Sequence, residues 1–246
     1  MKTRLGVLPA HVLLLERAGG LVLVDSGIGL ADCAAPARMG PVRHLIRPTF
    51  DPRWTAVRQL EELGFSADDV TDVVLTHLDL DHAGGIADVP GATVHVTADE
   101  HAAATVPHLD EKLRYRSVQW GHDPRWSLTY RGGVTWKGFQ GCTELFDGDV
   151  LLVPMPGHTR GHAAVAVRSA DGWLVHAGDA FFHRGAVRRK TVPLGFRAFE
   201  AVVAVDRVLV ASNHERLATL ADEPDVTVFC AHDPVQLRAL QGRPRS

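Results

Sequence analysis

An α/β fold with layered, mixed sheets is predicted for this 246-residue chain, and three features of its pattern predict it. Short β-branched runs recur along the whole length, each ending in a turn. Helical spacings lie between some of these runs. The two kinds of segment alternate without the regular strand–helix–strand rhythm of a doubly wound parallel sheet.

The strand signals, in order, are LVLVDSG (21–27), DVVLTH (72–77), ATVHV (92–96), VLLVPMPGH (150–158), HAAVAV (162–167), GWLVHAGD (172–179) and VTVFCAH (226–232). A helix is expected over 53–63, where Trp54, Val57, Leu60 and Leu63 share one face and Gly64 ends the pattern. Further helices are expected over 98–104, 196–212 and 234–240. Two stretches rich in Pro, Gly and Arg, 34–52 and 107–141, break the pattern. The second holds Tyr115, Trp120, Trp126, Tyr130, Trp136 and Phe139. Long connections of this kind often serve as lids or substrate walls. Aromatic residues serve equally well to pack a hairpin and a helix onto a core. A single domain over 1–246 is expected.

Composition narrows the function. Hydrophobic residues at 46% and charged residues at 22% are ordinary for a soluble domain. A formal net charge of −3 makes no electrostatic case for nucleic acid or an anionic membrane. Cys33, Cys142 and Cys230 are odd in number and far apart, which argues against a disulfide framework or a thiolate zinc site. The opening MKTRLGVLPAHVLLLERAGG lacks a cleavage pattern and reads as a first strand. No apolar run nears the roughly 18 residues a membrane span needs. A cytoplasmic protein, monomeric or homodimeric, is the expectation.

The chemistry concentrates in THLDLDHAGG, residues 76–85. It sets His77, Asp79, Asp81 and His82 within six positions, directly after an apolar strand. Where the strand runs into a turn, 77, 79 and 81 can point one way and 82 can follow round the bend. Imidazole and carboxylate are the ligands of zinc and neighbouring divalent metals. Gly84 and Gly85 allow tight packing and open a helix. Helix capping by an Asp is the plainer reading; it accounts for one Asp, not for two Asp and two His. Three further groups follow strand ends: His158 in PGHTRGH, Asp179 in HAGDAF and His232 in CAHD. Singly, each is an ordinary turn or surface residue.

Together, in this order, these motifs resemble the metallo-β-lactamase superfamily, whose pattern is H-x-H-x-D-H, a His after Pro-Gly, an Asp after a strand and a C-terminal His. The resemblance runs from LVLVDSG to CAHDP. It implies a four-layer αββα sandwich with a metal site at one edge of two mixed β-sheets. It implies one metal on His77, Asp79 and His158, a second on Asp81, His82 and His232, and Asp179 bridging both. Two zinc ions are implied, with manganese or iron as alternatives, and a hydroxide between them as the nucleophile. Asp81 and Asp179 carry the catalytic assignment, a protonated Asp assisting the leaving group. Thr159, His162 and Asp25 fit roles in orienting ligand imidazoles; for His162 and Asp25 a simple turn hydrogen bond fits as well. The arrangement is most similar to the lactonases that open homoserine lactones.

Two positions depart from the pattern. Asp79 stands where the family has His, so a third carboxylate would bring the site close to neutral and raise the pKa of bound water. Its shorter side chain can also fall short of the first metal. Phe182 stands where those lactonases share a Tyr, three positions after the bridging Asp. Phe has no hydroxyl for an oxyanion, and the plainer role for Phe181 and Phe182 is an apolar wall. Hydrolysis of an ester, lactone or related acyl bond is the expected activity. A thioesterase like glyoxalase II is weakened because only 14 residues follow His232. A mononuclear iron enzyme like the persulfide dioxygenases, or a non-catalytic protein with a decayed site, stays open. Arg188, Arg189 and Lys190 can bind an anion, or form a solvated cluster.

Overall fold

The structure, a computed structural model, describes residues 8–109 and 111–241. The start of the predicted N-terminal strand, residues 1–7, lies outside them. The chain divides into two compact units, one Val12–Leu128 and the other made of residues 8–11 and 129–241.

The Val12–Leu128 unit opens with a hairpin of β1 (Leu13–Arg17) and β2 (Gly20–Val24), paired antiparallel. Three short helices follow: α1 (Leu30–Ala34), α2 (Arg43–Ile46) and α3 (Ala56–Glu62). Then come β3 (Val70–Val74), β4 (Thr93–Thr97), α4 (Ala98–Thr105) and β5 (Arg125–Thr129). The sheet order is β1-β2-β3-β4-β5, with β2–β3 and β3–β4 parallel. Parallel strands are covered on both faces, which is why LVLV in β2 is buried at every position. Leu21, Leu23, Val73, Val94, Val96 and Ile86 form the core of this unit. Each such side chain contributes about 1.5–3 kcal/mol by leaving water. Thr97 ends β4 and caps α4, its hydroxyl accepting from the Glu100 amide at 3.1 Å.

The second unit carries β6 (Val134–Trp136), β7 (Phe139–Leu145), β8 (Val150–Pro154), β9 (Ala163–Ser169) and β10 (Gly172–His176). They are followed by α5 (Leu194–Val203), α6 (Arg207–Leu220), β11 (Val226–Phe229) and α7 (Pro234–Gln241). The sheet order is β11-β10-β9-β8-β7-β6, antiparallel from β6 to β10 and parallel between β10 and β11. Both sheets are therefore mixed, as the irregular rhythm of the sequence predicts. The β6–β7 turn is two residues long, and Lys137 and Gly138 both have positive φ, 44° and 81°. That geometry matches the twist of a hairpin.

The aromatic-rich stretch proves to be packing more than lid. Trp136 and Phe139 sit in the second core, with Trp136 edge-on to Trp173 at 5.1 Å. Tyr115, Trp120 and Trp126 pack into the first core, while Tyr130 is exposed. The single helix expected over 196–212 is two helices. Asp206 breaks it, its carboxylate accepting from the Val208 and Leu209 amides to start α6. Among the described residues, no helix is long and apolar enough to cross a membrane, and the three cysteines are free thiols.

Candidate metal centre

In the Val12–Leu128 unit the candidate ligands lie on the loop that follows β3. The strand stops at Val74, but Leu75, Leu78 and Leu80 stay buried and pin the loop to the core. The loop then turns at Asp79, whose carbonyl accepts from the His82 and Ala83 amides, both at 3.0 Å. It comes to lie against the end of β2 through a bridge between Gly27 and Ala83. Gly85 is needed for that approach, because a Cβ there would overlap the Ser26 carbonyl.

Asp25 organises this half of the site. It sits just past β2 with φ +58°, a left-handed conformation that Asp tolerates better than most residues. Its Oδ1 accepts from the Thr76 amide at 2.8 Å, and its Oδ2 from His82 Nδ1 at 2.7 Å. The Thr76 hydroxyl also donates to this carboxylate, at 2.9 Å, and so accepts from His77 Nδ1, at 2.9 Å. One buried carboxylate thus places the proton of both imidazoles on Nδ1, directly for His82 and through Thr76 for His77. Both rings are left with a lone pair on Nε2, the form that binds a metal. The rings are buried and 4.1 Å apart. Asp79 Oδ2 lies 3.5 Å from His77 Nε2 and takes a hydrogen bond from Arg114 Nη1 at 2.6 Å. Asp81 is half-buried on the same loop. The Leu78 amide, between two candidate ligands, donates to Glu100 Oε1 at 2.9 Å, and the Tyr115 hydroxyl donates to the same oxygen. Burial, with Glu100 next in effect, pushes the Tyr115 phenol well up, so it stays a neutral donor.

The second unit presents its candidates on the loops after β8, β10 and β11. Asp179 is the hub. His232 Nε2 lies 3.0 Å from Asp179 Oδ1, and His158 Nε2 lies 3.5 Å from its Oδ2. His232 Nδ1 donates to the Pro9 carbonyl at 2.6 Å. In the neutral ring its Nε2 therefore turns a lone pair toward a carboxylate, an arrangement a cation relieves. His162 donates from Nδ1 to the Met155 carbonyl and accepts at Nε2 from the Asp179 amide, each at about 3.1–3.2 Å. His162 thus holds the backbone of Asp179 in place. Phe182 stacks on His232 with ring centroids 5.2 Å apart and meets His158 edge-on at 5.8 Å. Phe181 and Phe182 are both buried. Burial, followed by repulsion from His176 and His232, lowers the pKa of His11 to about 3, so it is neutral beside this group.

The donor set fits a divalent metal. Each unit supplies imidazole Nε2 and carboxylate oxygens within a few ångströms of one another, held by partners that fix ring orientation. Of the residues singled out from sequence, Asp25 hydrogen-bonds the candidate ligand His82 and the Thr76 that holds His77, and His162 accepts from the backbone of the candidate ligand Asp179. Arg189 pairs with Asp222 at 2.7 Å on the surface, the solvated reading of the 188–190 cluster. Arg114 and Glu100 carried no signal in the sequence. They reach the site across 35 and 22 residues.

Residues 5–232 match the family model of the metallo-β-lactamase superfamily, and the chain belongs to that superfamily. It is 48% identical over 230 residues to the "Probable metallo-hydrolase Rv2300c" of Mycobacterium tuberculosis, covering 91% of this chain and 74% of the relative. It is 29% identical to the N-acyl homoserine lactonase AttM of Rhizobium radiobacter, covering 92% of this chain and 82% of that one. Among solved structures it is similar to an N-acyl homoserine lactone hydrolase with N-hexanoyl-L-homoserine bound, at TM-score 0.68 and 21% identity, over 94% of this chain and 84% of the other. A metal-dependent hydrolase of Staphylococcus aureus, described as probable, matches at TM-score 0.69 and 18% identity, over 92% and 75%. At these identities the structural matches speak for the fold alone, the metallo-β-lactamase α/β fold with its two mixed sheets.

Proposed function

We propose that the chain is a metal-dependent hydrolase of small molecules, with His77, Asp79, Asp81, His82, His158, Asp179 and His232 as its metal ligands. The observation that carries this reading is Asp25. A buried carboxylate that sets the tautomer of two neighbouring imidazoles is what a metal site requires of its surroundings and what a purely structural loop does not. Membership of one superfamily across residues 5–232 supports reading both sets of candidates as metal ligands, and the chain as one domain. A divalent metal there supplies Lewis acidity and makes water acidic enough to act near neutral pH. The protein's own part is to hold the ligands rigid: Asp25 and Thr76 orient His77 and His82, the Pro9 carbonyl orients His232, and His162 fixes the Asp179 backbone.

An ester, lactone or related acyl bond is the substrate class this reading favours. The lactonase relative AttM supports it. Phe182, packed on His158 and His232, narrows it, since an apolar ring there offers no hydroxyl to a developing oxyanion. Zinc is the proposed metal and the cytoplasm the proposed location, with a monomer or homodimer as the working form. The test is an ester and lactone panel run on chelated protein, on protein reloaded with zinc or manganese, and on His82→Ala. Turnover that needs metal and vanishes in His82→Ala is expected. Equal turnover in chelated and reloaded protein would sink the reading.

A further inference from the structure

The ligand set does not explain why Asp79 should carry a guanidinium. Arg114 Nη1 sits 2.6 Å from Asp79 Oδ2, a distance typical of a strong charge-assisted bond. The same oxygen lies 3.5 Å from His77 Nε2. The two side chains are only 14% and 15% exposed, so solvent screens the pair weakly. Two acidic groups of the same unit are buried as well: Glu100, which accepts from the Leu78 amide next to Asp79 in sequence, and Glu111, three residues before Arg114. The arginine is thus aimed at the carboxylate that departs from the family pattern.

Resting on the metal-centre reading above, we propose that Arg114 is a positioning residue that sets the strength of metal binding at His77 and Asp79. Its guanidinium cancels the charge of the additional carboxylate, so the Asp79–Arg114 pair is neutral overall, as the family's His would be. On this proposal the additional carboxylate does not by itself drag the site toward neutrality. The guanidinium also competes with a metal for Asp79 and repels a dication placed beside it. Metal at this position is held more weakly than Asp79 alone would allow. A further consequence concerns Asp79→His, the obvious repair toward the family pattern: alone, it leaves Arg114 half-buried beside an imidazole and without this counter-charge.

The test is the stepwise zinc affinity of the full chain, read by competition with a chromogenic chelator, alongside the unfolding midpoint of each metal-free protein. Arg114→Gln should tighten the weaker zinc step by at least about tenfold, because a cation beside the metal has been removed. Arg114→Lys should stay near the wild type. Adding Asp79→Asn to Arg114→Gln should cancel the gain. If Arg114→Gln does not fold, Arg114→Met carries the test instead, with zinc binding at the weaker step tightened by at least about tenfold expected and unchanged or weaker binding overturning the inference. Unchanged or weaker zinc binding in a folded Arg114→Gln also overturns it. Zinc binding by neither wild type nor any variant would instead refute the metal-centre reading on which it rests.

Discussion

Replacing Asp25 by Asn tests the metal centre without changing the shape of any side chain. Asn keeps one acceptor and exchanges the other oxygen for an NH2. Asp25 receives N–H donors at both oxygens, Thr76 N at Oδ1 and His82 Nδ1 at Oδ2. Whichever way the amide sits, its NH2 opposes a donor. Facing Thr76 it strands a buried backbone N–H that has no other form to adopt, at about 1–3 kcal/mol. Facing His82 it can be satisfied, because the ring can move its proton from Nδ1 to Nε2. The amide therefore turns toward His82, and His82 loses the lone pair that would bind metal. Loss of such a support costs about 10–100-fold in metal affinity, which is about 1.4–2.8 kcal/mol. Here the ligand itself is disabled, so the upper end is expected. Zinc affinity by chelator competition, with urea unfolding of the metal-free protein as the control for folding, reads the effect. Wild-type zinc affinity in a folded Asp25→Asn protein would refute the tautomer argument.

Two further outcomes can be checked. Phe182→Tyr adds a hydroxyl at a buried position against His158 and His232; homoserine lactone turnover should rise if the pocket otherwise suits that substrate, and no rise on a lactone panel would move the substrate class toward esters. Asp88 is held near the start of α1, accepting from the Leu30 amide, and burial lifts its pKa from 3.8 to about 6. An acid with a raised folded pKa is more stably folded when protonated, so its ionisation removes stability as pH rises from about 4 to about 6. With partial exposure discounted, the loss is about 1–2 kcal/mol at pH 7. Asp88→Asn should recover it at neutral pH and show little difference from wild type near pH 4, measured by urea unfolding of the metal-free proteins; equal differences at both pH values would contradict the assignment.

Much of the candidate site was legible because its candidate ligands follow strands in dense, unusual clusters. Four residues of ligating type within 77–82, two His and two Asp, have no cheaper structural explanation, and His158, Asp179 and His232 gained meaning from their order. Strand ends were less legible. The apolar pattern runs on to the ligands, whereas β3 stops at Val74, β8 at Pro154, β10 at His176 and β11 at Phe229. The reason is that the loops beyond are themselves buried at Leu75, Leu78, Leu80 and Met155, so burial mimics strand periodicity. The break between α5 and α6 was hidden similarly, because the apolar runs before Asp206 and after Arg207 read as one helix and mask the capping role of Asp206. Asp25 and His162 were visible as polar residues near turns, but only the fold shows that each hydrogen-bonds a candidate ligand. Arg114 and Glu100 left no local trace at all. They lie in or after α4, among ordinary charged residues, and become part of the site only when the chain brings them against the loop after β3.

The central claim is that these imidazoles and carboxylates hold divalent metal, and elemental analysis of metal per chain tests it most directly. The full chain would be stripped with chelator, reloaded with zinc or manganese, desalted and measured beside His82→Ala and His232→Ala. The account predicts at least one tightly held equivalent in the wild type, a second and weaker one at higher metal concentration, and a clear loss in both variants. No metal above background in the wild type, or equal metal in all three proteins, would contradict it.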